Sequence, residues 1–279
     1  ITNENRVVVV TGPEKEGITM PTEADIRRVL DESAKKEVTA YEDKVSKEPL
    51  MAKVLPPVAI TSTKEVEAIG VTELVLANGV KVILKPTDFK NDEILMSASS
   101  KGGTSLYDDD EYMTASNAAR IVNESGLGQF NNTDLEKVLT GKTAGVFPYI
   151  ASYYEGLSGS CSPKDMETFF QLIHMYFTDV REDGEAFKSY ISKQTNTYKN
   201  LMSNPSYFFM DYSIKKKSMD HPRVGFPTQE SLEKIDHSRA LEIYRERFAD
   251  ASGFTFVFVG NFEEEELKMM CQKYLGTLP

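Results

Sequence analysis

The feature that most constrains the fold of this chain is a β-hairpin signal around residue 78. Two runs rich in aliphatic residues, 73–77 and 80–84, flank the dipeptide Asn78-Gly79. Asn-Gly favours the positive φ angles of a tight two-residue turn, so the runs are predicted to pair as antiparallel strands. A chain that contains this hairpin must build at least part of an antiparallel sheet and cover one of its faces.

Further strands are predicted in pairs, with blocks of helix between them. The predicted strands lie at 93–100, 142–150, 153–161 and 254–259, and the predicted helices at 114–125, 133–140, 184–202, 205–219 and 228–248, with a last helix through Leu267 and Tyr274. This order lacks regular β-α-β alternation. It favours an α+β fold, an antiparallel-rich sheet with helices packed on one face.

One more helix carries the clearest packing signal. It follows the N-cap Ser162 and a proline at its first position. Apolar side chains then recur at helical spacing and form one stripe, Met166, Phe169, Phe170, Ile173 and Phe177. This stripe predicts that the helix lies on the sheet.

The chain is predicted to contain three parts. Residues 1–34 combine a strand at 6–11 with a helix after Pro21, and such a pair cannot bury an apolar face alone, which predicts a strand-helix remnant of a preceding domain. Residues 35–71 are charged and contain three prolines, which predicts an extended linker. Residues 72–279 are predicted to form one α+β domain.

Composition excludes several classes of function. The chain has 43 acidic and 32 basic residues and a net charge of −11, which repels the phosphate backbone of a nucleic acid. No apolar run approaches the roughly 18 residues that span a bilayer. Cys161 and Cys271 are far apart and belong to no Cys/His cluster, so neither a disulfide scaffold nor a zinc ribbon is indicated.

Motifs that would carry catalysis or bind a metal are also missing from the sequence. His174, His221 and His237 are spaced 47 and 16 residues apart, so no two form the i, i+4 pair of a zinc helix. His174 is predicted to be a packed histidine and the other two to be loop residues. Residues 156–160 fail the spacing of a nucleophile elbow and predict a bent strand end. The acidic run 108–111 predicts a solvated loop beside a helix start. No catalytic, cofactor-binding or metal-ligating residue is therefore predicted.

The order of several segments resembles the insulinase/pitrilysin family of zinc peptidases. These segments are L-A-N-G-V-K-V-I-L-K-P-T from Leu76, S-K-G-G-T-S-L from Ser100, S-G-L-G, D-L-E-K-V-L-T-G-K and S-P-K-D-M-E-T-F-F-Q-L. The closing F-V-F-V-G-N-F and K-Y-L-G-T-L-P resemble the strand, helix and L-P that end each domain in this family. The resemblance implies the third, non-catalytic domain of a large member of the bacterial periplasmic type.

The same resemblance implies where a metal would lie. The catalytic domain of the family carries H-x-x-E-H on its first long helix, with a distal glutamate as third ligand. These positions fall near Asn117, Arg120, Ile121 and Thr197, so no ligand is present, and an arginine would repel a dication. The resemblance therefore implies that zinc belongs to a catalytic domain outside this chain.

Three hypotheses about function follow. In the first, the chain is a non-catalytic domain of a zinc-dependent metallopeptidase and, with the other domains of its parent protein, encloses and binds peptide substrate. In the second, it is a peptidase-like binding or assembly domain of a protein with no active half. In the third, it is an unrelated α+β domain. An H-x-x-E-H motif upstream in the full-length protein would distinguish the first from the second.

Overall fold

A computed structural model describes residues 4–12, 17, 19–37 and 49–279 of the chain. It divides into two compact units, Ile1–Lys44 and Val45–Pro279. The predicted helix of the first unit is present as α1 (Glu23–Lys35), which begins with a capping box between Thr22 and Asp25. The predicted strand at 6–11 is wrong, because residues 6–12 adopt no strand. A strand needs a hydrogen-bonded neighbour, and the described residues of this unit contain no second strand.

The second unit is built on a sheet of seven strands. They are β1 (Ile60–Val66), β2 (Val71–Leu76), β3 (Lys81–Pro86), β4 (Ile94–Lys101), β5 (Ala144–Ile150), β6 (Tyr154–Cys161) and β7 (Thr255–Gly260). Their order across the sheet is β1-β2-β3-β7-β4-β6-β5. Only the contact between β3 and β7 is parallel, and the other neighbours are antiparallel. The predicted hairpin is the β2–β3 pair.

The helices of this unit lie on one side of the sheet, some packed on the strands and others on neighbouring helices. They are α2 (Asp109–Ser125), α3 (Asn132–Val138), α4 (Met166–Thr178), α5 (Gly184–Met202), α6 (Pro205–Lys217), α7 (Gln229–Glu233), α8 (His237–Arg247) and α9 (Glu264–Met270). Burial alternates with period two along β2, β3 and β7, so that Phe256 and Phe258 of β7 are buried whereas Val257 between them is not. The predicted α+β class, with an antiparallel-rich sheet covered on one face, is confirmed.

Helix α4 forms the centre of the core. Phe169, Phe170 and Ile173 are fully buried, and the Phe170 ring stacks on that of Phe258 in β7 with a centroid separation of 5.3 Å. Phe177 at the end of the stripe meets the ring of Phe254 edge to face at 5.0 Å. The helix predicted to lie on the sheet therefore does so through the predicted side chains.

The linker predicted over 35–71 is wrong in its C-terminal part. Residues 60–66 form the edge strand β1, which pairs antiparallel with β2. Before it, Leu50 and Leu55 are buried in the core. The many charges of this segment suggested a linker, but an edge strand with one solvent-facing side tolerates them. Residues 38–48 lie outside the described residues.

Two other local predictions also differ from the structure. The helix predicted over 228–248 is two helices, α7 and α8, because Asp236 accepts a hydrogen bond from the Arg239 backbone N–H at 2.7 Å and caps a new helix. His237 is consequently the first residue of α8 and not a loop residue. Residues 156–160, predicted as a bent strand end, lie in the regular strand β6, which is paired on both sides. Among the described residues, no helix combines the length and apolarity that a bilayer crossing requires.

Deletion of residues 1–34 is expected to leave the second unit folded. The sheet and core of that unit are built from residues 49–279 alone, so it should unfold cooperatively without the preceding segment. Thermal unfolding followed by circular dichroism would test this expectation on the truncated chain. A truncated chain that melts without a cooperative transition would show that the segment is integral to the domain.

Candidate functional site

A cleft of the second unit lies between helices α2 and α5 and a loop formed by residues 222–228. Its volume is about 480 Å³. Helix α2 contributes Tyr112, Met113, Ser116, Asn117 and Arg120, helix α5 contributes Tyr190, Gln194 and Tyr198, and helix α6 contributes Lys215. The spacing of these residues on α2 and α5 follows the helical period, so one face of each helix forms a wall.

Helix α2 is held in this position at both ends. Its first turn carries two carboxylates that form ion pairs with distant arginines, Asp109 with Arg223 at 2.6 Å and Glu111 with Arg239 at 2.6 Å. The helix ends at Gly126, whose φ of +82° favours glycine, and an added Cβ would lie 2.2 Å from the Phe130 carbonyl oxygen. The acidic run 108–111, predicted as a solvated loop, therefore lies mostly in the first turn of α2, where two of its carboxylates form ion pairs.

Asn117 and Tyr190 connect the two helical walls. The Tyr190 hydroxyl donates to Asn117 Oδ1 at 2.6 Å, and Asn117 Nδ2 donates to the Met113 carbonyl at 2.7 Å. Burial raises the pKa of Tyr190 to about 12, while the nearby Arg120 guanidinium acts to lower it. The phenol therefore stays neutral and acts as a hydrogen-bond donor at physiological pH.

The structure brings only some of the inferred metal positions together. Asn117 and Arg120 line the cleft, whereas Ile121 is fully buried in the core. Thr197 is exposed and its hydroxyl donates to the Lys193 carbonyl of its own helix at 2.8 Å. Three residues of helix α2 that line the cleft do have the i, i+3, i+4 spacing of the H-x-x-E-H motif, and they are Met113, Ser116 and Asn117. Of the four positions that the family resemblance implies, the structure therefore places Asn117 and Arg120 at the cleft and places Ile121 and Thr197 elsewhere.

The electrostatics of the cleft oppose metal binding. Three cationic side chains line it, those of Arg120, Lys215 and Arg223, and none of its lining residues is Asp or Glu. Within the described part of the chain, no group of three or more His, Cys, Asp or Glu side chains could hold a metal ion. Lys215 and Arg223 are paired with Asp211 and Asp109, so the charge that acts on a ligand is mainly that of Arg120, which repels a dication and attracts a carboxylate.

The loop over 222–228 is fixed by a buried carboxylate. Asp211 of α6 is 6% exposed. Its Oδ1 accepts from the Phe226 backbone N–H at 2.6 Å, and its Oδ2 accepts from Lys215 Nζ at 2.7 Å. Arg223 adds a second anchor by donating to the Tyr107 carbonyl at 2.7 Å. The third wall of the cleft is therefore as well held as the helical walls.

The chain is expected to carry no stoichiometric zinc when purified, because its three histidines join no cluster of ligands in the described residues. His174 is buried on α4, His221 lies in an exposed loop, and His237 stacks on Phe187 at 4.6 Å. Elemental analysis after dialysis measures the metal content. One zinc per chain that survives dialysis would contradict this expectation.

His174 is expected to make the protein less stable in mild acid. Burial lowers the pKa of His174, with Asp179 acting to raise it and Lys53 to lower it. Because the pKa of His174 in the folded protein lies below the unfolded value of about 6.5, the unfolded state binds more protons as the pH falls through 6.5. The free energy of unfolding should therefore fall in this window. Urea unfolding from about pH 7.5 to 5.5 should show a shallower fall for His174→Asn. An equal fall in both proteins would contradict the assignment.

Comparisons with known proteins find sequence relatives among zinc proteases and solved structures with the same fold. No protein-family model matches the chain. A zinc protease PQQL-like protein of Arabidopsis thaliana is 25% identical over 245 residues, which cover 88% of this chain and 23% of the relative. The chain thus spans about a quarter of the length of the curated relatives it matches.

Two solved structures share the fold. The crystal structure of the periplasmic protease PqqL from Escherichia coli superposes with a TM-score of 0.71 at 23% identity and covers 92% of this chain and 28% of that one. The crystal structure of pitrilysin superposes with a TM-score of 0.58 at 12% identity and covers 82% of this chain and 24% of that one. The chain is therefore similar in sequence to zinc proteases and shares its fold with PqqL and pitrilysin.

Proposed function

We propose that this chain is a non-catalytic domain of a zinc-dependent metallopeptidase and that it helps to enclose and bind peptide substrate. Its sequence relatives are zinc proteases, and it corresponds to about a quarter of their length. The zinc and the catalytic residues would then belong to another domain of the parent protein. A location in the bacterial periplasm or cell envelope, which the family resemblance implies, is part of the same proposal.

The observation that carries the proposal is the composition of the α2–α5 cleft. At two of the positions where the family resemblance implies a metal ligand or catalytic glutamate, the cleft presents Asn117 and Arg120, and Gln194 lies beside aromatic rings in the same cleft. Amide and guanidinium groups next to Tyr190 and Tyr198 can hydrogen-bond a peptide and cover its apolar side chains. The cleft is therefore suited to holding a peptide and not to hydrolysing it.

The exposed surface of helix α6 also supports the proposal that the chain contacts other domains. Helix α6 exposes apolar and aromatic side chains to solvent, including Tyr207, Phe208, Phe209, Met210, Tyr212 and Ile214. A contiguous exposed apolar surface of this kind is typical of a protein–protein contact. We assign it to contacts with the other domains of the parent protein.

Binding of short fluorescein-labelled peptides, measured by fluorescence anisotropy, tests the proposed role. The chain should bind them without cleaving them. Gln194→Trp, which places an indole in the cleft, should weaken binding by about tenfold, or ~1.4 kcal/mol. Mass spectrometry of the peptides after incubation checks that they stay intact.

Thr197→Trp is the matched control. Thr197 lies on the same helix but is exposed and does not line the cleft, so its indole should leave binding unchanged. Equal binding by both variants would mean that peptides bind elsewhere. If the chain binds no peptide at all, the alternative role as a binding or assembly domain without a peptide site takes precedence.

A further inference from the structure

The charge of the cleft is opposite to that of the protein as a whole. The chain has 43 acidic and 32 basic residues, yet the cleft is lined by three cations and by no carboxylate. We infer that the cleft selects peptide segments that carry an aspartate or glutamate side chain, and that Arg120 pairs with that carboxylate. This inference rests on the proposed function, because it names the class of peptide that the same cleft would take.

Arg120 is the cation of the cleft that is open to a ligand. Lys215 is paired with Asp211 at 2.7 Å and Arg223 with Asp109 at 2.6 Å. Arg120 is exposed and forms no ion pair with any described carboxylate. A ligand carboxylate can therefore pair with Arg120 without breaking an existing ion pair, and the guanidinium can bind both of its oxygens.

The surroundings of Arg120 favour a side chain over other anions. A phosphate-bearing polymer is disfavoured by the net charge of −11. The aromatic rings of Tyr112, Tyr190 and Tyr198 line the same cleft and give apolar surface to the neighbouring residues of a peptide. The unpaired Arg120 guanidinium suits the carboxylate of an acidic residue, and the tyrosine rings suit apolar residues beside it in the same peptide.

The loop over 222–228 argues against capture of a free C-terminal carboxylate. Such capture uses a row of free backbone N–H groups. Here the N–H groups of Arg223, Val224, Phe226 and Thr228 already donate within the protein, and the loop has prolines at 222 and 227, which have no N–H. A side-chain carboxylate on Arg120 needs none of these donors.

The test uses two fluorescein-labelled peptides with amidated C-termini that differ only in a central Glu or Gln. The intact chain should bind the Glu peptide about fivefold more tightly at low salt. This preference should decrease as salt is added. Arg120→Gln should bind both peptides equally, Arg120→Glu should prefer the Gln peptide, and Arg120→Lys should keep part of the preference. Thermal melting of each variant checks that it is folded.

Lys199→Gln is the control for loss of one positive charge, because Lys199 is exposed on α5 and does not line the cleft. It should keep the fivefold preference. Equal binding of both peptides by the unmodified chain would overturn the inference and leave the proposed function standing. Binding of neither peptide would overturn both. Binding only of peptides with a free C-terminus would also overturn the inference, since the terminal carboxylate would then be the ligand.

Discussion

Phe170→Ala is expected to lower the free energy of unfolding by about 3–5 kcal/mol. The Phe170 side chain is fully buried and stacks on Phe258 at 5.3 Å, where α4 meets β7 in the middle of the sheet. Removal of the ring loses its transfer free energy and leaves a cavity that rigid neighbours cannot fill. Urea unfolding monitored by tyrosine fluorescence and circular dichroism measures the change.

Phe208→Ala gives the matched control for the same chemical change. Phe208 lies on α6 and is 58% exposed, so its removal should change the free energy of unfolding by less than about 0.5 kcal/mol. Similar losses for the two variants would mean that α4 does not occupy the centre of the core. A change in the urea dependence itself would point to a change in the unfolded state.

Asp211→Ala is expected to lower the free energy of unfolding by about 2–3 kcal/mol. The substitution leaves the Phe226 N–H without its acceptor and removes the partner of Lys215. The Lys215 side chain is 33% exposed, so water can solvate its charge and the loss stays below that of a fully buried pair. Peptide binding in the cleft should weaken in parallel, because the loop over 222–228 loses its anchor.

Glu230→Ala is the control for this ion pair. Glu230 pairs with Lys234 at 3.2 Å with the same i, i+4 spacing, but both side chains are largely exposed. Its loss should change the free energy of unfolding by less than about 1 kcal/mol. The loss in free energy of unfolding for Asp211→Asn should lie between the losses for Asp211→Ala and Glu230→Ala, because an amide oxygen can still accept from the Phe226 N–H. A stable Asp211→Ala variant with unchanged peptide binding would refute the role given to this carboxylate.

The sequence predicted those parts of the fold that depend on local patterns. The Asn78-Gly79 turn, the stripe on α4 and the alternation along β7 are each encoded within a few neighbouring residues, and each is present. The strand predicted at 6–11 is absent, because a run of β-branched residues forms a strand only when a neighbouring strand pairs with its backbone. The edge strand β1 was missed because its exposed, charged residues follow neither periodicity clearly.

The cleft was harder to predict because its walls come from distant parts of the chain. The spacing of Tyr190, Gln194 and Tyr198 places them on one helix face, and this signal is visible in the sequence. The third wall depends on the pairing of Asp211 with Phe226 and on that of Arg223 with Asp109, which are contacts of tertiary structure. No local pattern encodes such contacts.

The central position of β7 bears on the order in which this protein can fold. Residues 255–260 lie between β3 and β4, which precede them by more than 150 residues. During synthesis, the two halves of the sheet are β1-β2-β3 and β4-β6-β5. The edge strands β3 and β4 therefore keep unpaired backbone groups until β7 leaves the ribosome. Such long-range closure is slow, and each waiting edge can pair with another chain. A chain terminated shortly before residue 255 would lack β7, and this nearly complete domain would be prone to aggregation.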